Sequence, residues 1–303
     1  MKAAYVFPGQ GSQWVGMGRD LHQRFEQAKA VFEQADSALG FSLSRLCFEG
    51  PEAELRETVN VQPAIVAVSL ACLAAARDKL PAPAFVAGHS LGEYTALAAS
   101  GALDFAATIS LVRERGRLMH EAGRKSPGAM VAVLGMAEDK LAEICAATGT
   151  KIANINCPGQ LVVSGNSDGV ARASELARNG GARKVVPLAV SGAFHTELMR
   201  PAASGLRRFL EGLVFNEPRV PIVANTTAEP VTGGEALKTE LLEQLCTCVQ
   251  WQRSVEYMIA RGVTIFIEIG PGKVLGGLIK RINPEVEIQN IGDAEAITKF
   301  RGD

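Results

Sequence analysis

The stretch Ala84-Phe85-Val86-Ala87-Gly88-His89-Ser90-Leu91-Gly92-Glu93 decides how this chain folds. Residues 84–87 form an apolar run that predicts a buried strand, and residues 93–100 have helix-forming composition. The pentad between them matches the G-x-S-x-G elbow, in which a tight turn lifts the serine hydroxyl into the open. The N–H groups after the turn then face a developing anion. The pattern indicates an α/β protein with Ser90 as a candidate nucleophile; a plain glycine-rich turn is the alternative.

The rest of the chain alternates in the same way, which favours a core with a largely parallel sheet. The run at residues 3–7 predicts a first strand rather than a signal peptide. Strands are also expected at 220–225 and 264–269, and helices at 20–39, 63–79, 105–122, 197–213, 234–245 and 255–261.

Residues 125–190 follow a different order, β-α-β-β-α-β, which is the ferredoxin-like split unit. The expected strands are 129–136, 152–156, 161–164 and 183–188, and the expected helices are 138–148 and 168–179. We therefore expect this small unit to be inserted into a larger domain made of residues 1–124 and 191–303. A cleft between the two parts is the natural place for chemistry.

Composition excludes several classes of protein. The chain has 303 residues, of which 47% are apolar and 21% charged, and its formal net charge is −1. That balance gives no electrostatic argument for a nucleic-acid partner. The close cysteine pair in Cys246-Thr247-Cys248 lacks the spacing of a zinc site, and no segment approaches the roughly 20 apolar residues of a membrane span. We expect a soluble cytoplasmic protein with reduced cysteines, without a metal and without membrane contact.

A serine nucleophile needs a base, and four histidines are candidates. His22 and His120 lie in polar helical segments, which favours a surface position. His89 adjoins the serine, but the turn should carry it away. His195 lies in the small-residue turn Ser191-Gly192-Ala193-Phe194-His195-Thr196, and catalytic side chains are often presented from such loops. His195 is therefore the candidate base, with a buried structural histidine as the alternative.

Arg115 interrupts a mainly apolar face of the helix predicted at 105–122. An inward-facing arginine needs an anionic partner, because an unpaired buried charge is very costly. That partner is either an Asp or Glu of the protein, which is the commoner case, or the carboxylate of a ligand held by the planar guanidinium.

Six segments in order closely resemble the malonyl-CoA:acyl carrier protein transacylase family, the acyltransferases of fatty acid and polyketide synthesis. They are residues 7–13, 88–97, 112–119, 193–199, 249–258 and 268–275. The resemblance implies an α/β-hydrolase-like domain with a ferredoxin-like insert. It also implies a ping-pong transfer of malonyl from malonyl-CoA to the phosphopantetheine thiol of acyl carrier protein, through a malonyl-serine intermediate.

The resemblance also implies roles for single residues. Ser90 matches the nucleophile, His195 the base, and Arg115 the residue that binds the malonyl carboxylate. The backbone N–H groups of Gln10 and Leu91 match the oxyanion hole.

Further roles implied by the resemblance concern orientation and specificity. The histidine would be oriented by the backbone carbonyl of Gln250, although Cys246-Thr247-Cys248 stands nearby where relatives often carry Asn-Pro. Gln62 falls in a family motif, which implies a role in the substrate pocket. Phe194 matches malonyl-selective relatives, and its bulky ring should disfavour a substrate with a branched α-carbon.

No metal or cofactor is implied, and the chain is expected to be a monomer that binds malonyl-CoA and an acidic carrier protein. Candidate docking charges for the carrier are Arg200, Arg207, Arg208, Lys273, Lys280 and Arg281. Three alternatives stay open: a trans-acting acyltransferase of a polyketide synthase, an acyl-carrier-protein acyl hydrolase, and a non-catalytic subunit.

Overall fold

The computed structural model describes residues 2–300, which form two separate β-sheets surrounded by helices. The strands are β1 (Ala3–Phe7), β2 (Pro83–Gly88), β3 (Gly128–Leu134), β4 (Lys151–Cys157), β5 (Gln160–Asn166), β6 (Lys184–Pro187), β7 (Ile222–Val223), β8 (Pro230–Val231), β9 (Ile265–Ile269) and β10 (Glu287–Ile291). The helices are α1 (Arg19–Arg24), α2 (Glu26–Leu39), α3 (Leu43–Glu49), α4 (Glu52–Arg56), α5 (Thr58–Ala76), α6 (Gly92–Ser100), α7 (Phe105–Lys125), α8 (Glu138–Thr148), α9 (Ser167–Asn179), α10 (Arg200–Glu211), α11 (Gly234–Gln244), α12 (Trp251–Ala260), α13 (Val274–Ile282) and α14 (Ala294–Lys299). A short 3₁₀ turn, Glu197–Met199, precedes α10.

The larger sheet has six strands in the order β10-β9-β1-β2-β7-β8. All of its neighbouring pairs are parallel except β7 with β8. Every residue of β1 is buried, as expected for a central strand covered on both faces. Because β1, β2 and β9 run in the same direction, the loops after Phe7, Gly88 and Ile269 meet at one edge of the sheet, where α/β proteins place their sites.

The smaller sheet has four strands in the order β4-β5-β3-β6, and every neighbouring pair is antiparallel. Helices α8 and α9 pack on it through a cluster of its own that includes Leu141, Val163 and Val170. The predicted order β-α-β-β-α-β is confirmed, and each predicted end within this stretch lies within two residues of the observed one.

Helix α5 lies inside the protein, and its observed start is five residues before the predicted start at residue 63. It begins at Thr58 and contains Pro63. A proline in a helix leaves the carbonyl four residues earlier without its donor. Here that carbonyl belongs to Val59, and it accepts a hydrogen bond from Nη1 of Arg113 at 2.9 Å. A side chain of α7 thus replaces the missing backbone donor, which no local pattern could indicate.

Helix α5 also corrects the expectation that no segment approaches membrane-span length. It is long and apolar enough to cross a membrane, with a mean hydropathy of 1.8, while 78% of that window is buried inside the protein. It packs against α2 and α7, as the core helix of a folded domain does.

Three other predicted elements differ from the structure. The helix expected at 20–39 is divided into α1 and α2, because Phe25 between them has extended backbone (φ −133°). Helix α12 begins at Trp251, four residues before its predicted start. The strand expected at 220–225 is reduced to the two residues of β7.

The smaller sheet contacts the segment that precedes α12. Val249, just before α12, accepts a hydrogen bond from the Ile155 N–H at 2.9 Å and donates to the Ala153 carbonyl at 2.8 Å. Strand β4 of the smaller sheet is thereby held against the segment that precedes α12. One further link is the ion pair between Arg253 and Glu138 at 2.8 Å.

Candidate active site

The turn at residues 88–92 is an elbow whose shape requires its two glycines. A Cβ on Gly88 would lie 1.8 Å from the backbone carbon of Gly92, and a Cβ on Gly92 would lie 2.0 Å from the carbonyl oxygen of Phe7. Ser90 at the apex has a left-handed backbone with φ 49°. Such a conformation costs a non-glycine residue on the order of 1–3 kcal/mol and is common at functional sites. The predicted strand-turn-helix around Ser90 is confirmed.

Asn225, in the loop after β7, holds the elbow from the side. Its Oδ1 accepts from the Ser90 N–H at 2.7 Å, and its Nδ2 donates to the Gly88 carbonyl at 2.7 Å. Sequence reasoning missed this residue. The one feature of the sequence that could have indicated it is that Asn225 lies at the end of a predicted strand. The carboxyl end of that strand lies at the same edge of the sheet as the elbow.

His195 lies beside Ser90 in hydrogen-bonding geometry. Nε2 is 2.8 Å from Oγ of Ser90, and Nδ1 is 2.7 Å from the carbonyl oxygen of Gln244. Because a carbonyl only accepts, Nδ1 carries the proton and Nε2 is left to accept from the serine hydroxyl. Burial, followed by the nearby charge of Arg115, lowers the pKa of His195 from 6.5 to about 3. The imidazole is therefore neutral near pH 7 and able to take a proton.

The expectation that the Gln250 carbonyl orients the histidine is wrong; the carbonyl of Gln244 does so. Gln244 is the last residue of α11, and the final carbonyls of a helix have no partner within it. Gln250 instead donates its N–H to the Asn225 carbonyl at 2.8 Å and accepts from the Ser254 N–H at 2.9 Å at the start of α12.

Arg115 is buried with only 1% of its surface exposed, next to the serine and the histidine. Its Nη1 donates to Oε1 of Gln62 at 2.8 Å, and its Nη2 donates to Oε1 of Gln244 at 3.0 Å and to Oγ of Ser90 at 3.2 Å. The guanidinium also lies 4.9 Å from the centre of the Tyr94 ring. These neighbours are all neutral.

The charge of Arg115 has no anionic partner in direct contact within residues 2–300. None of the ion pairs formed there includes it, and its Nε is buried without an acceptor. Of the two alternatives left open by the sequence, a directly paired Asp or Glu is not found in this part of the chain. A positive charge without a contacting carboxylate therefore lies beside the serine hydroxyl.

The turn after β1 packs on the elbow. A Cβ on Gly9 would lie 2.5 Å from the His89 carbonyl oxygen, so the backbone of Gly9 is in close contact with the elbow. Gln10 is the next residue in the chain. Within the described chain, the N–H groups of Gln10 and Leu91 have no acceptor. Free N–H groups are able to stabilise an oxyanion when they lie beside a nucleophile.

The remaining predicted residues are placed as follows. Gln62 is fully buried, and its Nε2 contacts Sδ of Met119 at 3.4 Å. Phe194, directly before the histidine, is 6% exposed. His89 points away from Ser90, as expected, since its Nε2 lies 2.8 Å from Oδ1 of Asn156 on the smaller sheet.

One further carboxylate, Glu93, lies in the first turn of α6 and was not singled out by the sequence. It is 1% exposed; its Oε1 accepts from the Asn225 N–H at 3.0 Å, and its Oε2 accepts from Nε2 of Gln244. Burial, with the nearby Glu240, raises its pKa, and the donors from Asn225 and Gln244 oppose that shift. No group of three or more His, Cys, Asp or Glu side chains that could hold a metal ion occurs in the described residues.

Comparisons with known proteins agree with this geometry. The family described as "Acyl transferase domain" matches residues 4–301. A malonyl CoA-acyl carrier protein transacylase of Bacillus subtilis is 45% identical over 98% of this chain and 95% of its own, and one of Escherichia coli K12 is 44% identical over 92% of each. An acyl-carrier-protein-S-malonyltransferase from Bartonella henselae has a TM-score of 0.95 at 41% identity and 98% coverage of both chains. A malonyl-transacylase solved with a type II polyketide acyl-carrier protein has a TM-score of 0.96 at 39% identity, again over 98% of both.

Proposed function

This chain belongs to the acyl transferase domain family, and from that premise we propose that it is an [acyl-carrier-protein] S-malonyltransferase. It moves malonyl from malonyl-CoA to the phosphopantetheine thiol of an acyl carrier protein. The observation that carries the proposal is the joint position of three groups: the Ser90 hydroxyl lies 2.8 Å from His195 Nε2 and 3.2 Å from Nη2 of the unpaired Arg115. The transacylase relatives and the carrier-protein complex support the same substrates.

The first half-reaction loads the serine. Nε2 of His195 takes the Ser90 proton while Oγ attacks the malonyl thioester carbonyl. The N–H groups of Gln10 and Leu91 stabilise the tetrahedral oxyanion, by about 3 kcal/mol for each donor. The C–S bond then breaks, the coenzyme A sulfur leaves with the proton held by His195, and a malonyl-serine ester remains.

The second half-reaction reverses these roles. His195 takes the proton of the carrier-protein thiol, and the sulfur attacks the malonyl-serine ester. The C–O bond to Ser90 breaks, and Oγ regains the proton from the imidazole. Serine and imidazole supply the nucleophile and the base, so we propose that no cofactor or metal takes part.

Substrate choice follows from the surroundings of the serine. The guanidinium of Arg115 binds the malonyl carboxylate, and Gln62 holds one of its nitrogens in place. Acetyl offers no anion to that charge. The buried ring of Phe194 next to His195 disfavours a branched α-carbon, although one methyl group changes the free energy of a transition state by only about 1–3 kcal/mol.

The carrier protein would dock through exposed cations. Among the candidates, Arg200 pairs with Glu197, Arg281 donates to the 158–160 turn, and Lys280 donates to the Pro284 carbonyl. Arg207, Arg208 and Lys273 are exposed and have no protein acceptor in the described structure. We assign these three the larger part of carrier recognition.

We also propose the finer description of the architecture. Residues 125–190 form a ferredoxin-like insert in an α/β-hydrolase-like domain of residues 1–124 and 191–303, of which residues 1 and 301–303 lie outside the described chain. The separate antiparallel sheet and its own apolar cluster support this division. A cytoplasmic monomer that binds neither nucleic acid nor membrane fits the balanced charge and the burial of helix α5.

The test is intact mass after brief mixing with malonyl-CoA or acetyl-CoA. We expect the wild type to gain one malonyl group, Ser90→Ala to gain none, and Arg115→Ala to lose the preference for malonyl over acetyl. Adding carrier protein should move the group onto its thiol. Release as free malonate instead would indicate an acyl hydrolase, and modification of Ser90→Ala at the wild-type rate would refute the serine mechanism. Carrier proteins from fatty acid and polyketide systems, used side by side, separate the two pathways.

A further inference from the structure

Gln244 forms hydrogen bonds with four residues of the site: His195, Arg115, Ser90 and Glu93. Its backbone carbonyl accepts from Nδ1 of His195, and its side-chain Oε1 accepts from Nη2 of Arg115 at 3.0 Å. Its Nε2 donates to the Ser90 carbonyl at 3.0 Å and to the carboxylate of Glu93. Gln244 is completely buried, so no solvent competes for these bonds. The position of the guanidinium therefore depends on which way this amide points.

Glu93 fixes the direction of that amide. Both carboxyl oxygens of Glu93 accept N–H donors, one from Asn225 and one from Gln244, so the NH₂ end of Gln244 faces Glu93 and its oxygen end faces Arg115. The amide dipole lies between an acceptor group at one end and a cation at the other, and the low dielectric of a buried site strengthens both bonds. Reversing the amide would place NH₂ against the guanidinium and remove its acceptor.

The two neighbours of position 93 are both donors, and each needs its own carboxyl oxygen. Oε1 accepts from the Asn225 N–H at 3.0 Å, while Oε2 accepts from Gln244. A glutamine at this position would have one oxygen and one NH₂ group for two donors, so one of the contacts would become a clash between donors. The Asn225 contact supports the elbow, and the Gln244 contact supports Arg115.

We propose that Glu93 is a positioning residue that acts through the Gln244 side chain to fix Arg115 and thereby sets the preference for a carboxylate-bearing acyl group. This inference rests on the proposed function. The hydrogen bond from Asn225 to Glu93 affects Ser90, which every acyl substrate uses. The hydrogen bond from Gln244 to Glu93 affects Arg115, which only malonyl contacts. The ratio of malonyl to acetyl transfer therefore isolates the second hydrogen bond from a general structural role.

The experiment compares kcat/KM for malonyl-CoA and acetyl-CoA, with acyl carrier protein as acceptor, in the wild type, Glu93→Gln, Gln244→Met and the double variant. We expect the malonyl preference to fall at least about tenfold in each single variant, as for loss of a hydrogen bond to a charged group. The double variant should lose no more preference than Gln244→Met alone, because Glu93 acts through Gln244.

Glu268→Gln is the matched control. Glu268 is also a buried glutamate, but its carboxylate accepts from the N–H groups of Leu275 and Gly276 at the start of α13 and has no hydrogen bond to Gln244 or Arg115. Its variant should keep the wild-type preference within about twofold. Should Glu93→Gln fail to fold by circular dichroism, Glu93→Asp takes its place, since it keeps the carboxyl group but is one methylene too short to reach both donors.

The outcomes are distinct. A folded position-93 variant that loses activity toward both substrates equally, or that keeps the malonyl preference, overturns the inference and leaves the proposed function standing. A further loss in the double variant overturns the route through Gln244. A wild type without any malonyl preference contradicts the proposed function, and the inference fails with it.

Discussion

Burial, together with the charge on Arg115, should keep the imidazole of His195 neutral far below its usual pH range, and the variant Arg115→Met tests the part that the charge contributes. The distance between a pKa of 6.5 and one of about 3 corresponds to about 5 kcal/mol in favour of the neutral form. At pH 5 about 1% of wild-type molecules would carry the proton, whereas a free imidazole would be about 97% protonated. Removing the cation raises the pKa of His195, while burial, the larger cause, still holds it below 6.5.

The measurement has two parts. Imidazole NMR titration, assigned with His195→Gln, should show no His195 titration between pH 5 and 8 in the wild type. The kcat/KM of acetyl-CoA, which carries no carboxylate, should stay level across that range and fall at low pH, and Arg115→Met should move this fall to higher pH. A wild-type His195 that titrates near pH 6.5, or an unchanged acid limb in Arg115→Met, would refute the reasoning.

The same depressed pKa makes folding depend on pH with a definite sign. Above pH 6.5 neither state binds a proton at His195, so the free energy of unfolding is unaffected. As the pH falls from 6.5 towards 3, only the unfolded chain binds the proton, and stability is lost progressively. His89, whose pKa burial also lowers, acts in the same direction. Urea unfolding of the wild type and His195→Gln at pH 7 and pH 5 measures this contribution, which should be smaller in the variant.

Four further substitutions, at three positions, test contacts within the protein. Gly92→Ala should destabilise the protein by more than about 3 kcal/mol in urea unfolding or prevent folding, because its Cβ would lie 2.0 Å from a backbone oxygen. Asn225→Ala leaves the Ser90 N–H and the Gly88 carbonyl without partners; kcat should fall about tenfold or more for both acyl substrates while KM changes little. Glu268→Ala removes the acceptor of two N–H groups at the start of α13 and should cost about 2–4 kcal/mol in urea unfolding, whereas Glu268→Gln should cost less. Near-wild-type unfolding of Gly92→Ala or Glu268→Ala, or an unchanged kcat in Asn225→Ala, would contradict these expectations.

Local patterns predicted the parts of the fold that local chemistry controls. The smaller sheet follows from alternating apolar residues separated by turns, and its six elements were expected within two residues of their observed ends. The elbow follows from Gly88 and Gly92, whose lack of a Cβ the turn demands. Ser90 could be found because it matches the elbow motif, His195 because it lies in a small-residue turn, and Arg115 because it interrupts an apolar face. The structure places the three together.

The connections between segments could not be read in the same way. Which carbonyl holds His195 depends on where α11 ends in space. The resemblance implied Gln250, whereas the structure shows Gln244, six residues earlier. A helix predicted to end near residue 245 does leave free carbonyls there, which was the available signal. Glu93 looks like an ordinary first-turn acidic residue, since its burial depends on α11 and on the loop after β7, both distant in sequence.

Backbone strain shows why those distant residues are needed. In the described chain, the non-glycine residues with a left-handed backbone are Ser90 (φ 49°), His195 (φ 60°) and Ala228 (φ 59°). Two of the three are the proposed nucleophile and the proposed base, and each costs on the order of 1–3 kcal/mol to hold. Ser90 is held by the amide of Asn225 on its N–H, and His195 by the carbonyl of Gln244 on its Nδ1. Neither residue prefers this conformation, so Asn225 and Gln244 maintain the 2.8 Å contact between Ser90 and His195. Loss of either hydrogen bond should lower the catalytic rate even where the protein still folds.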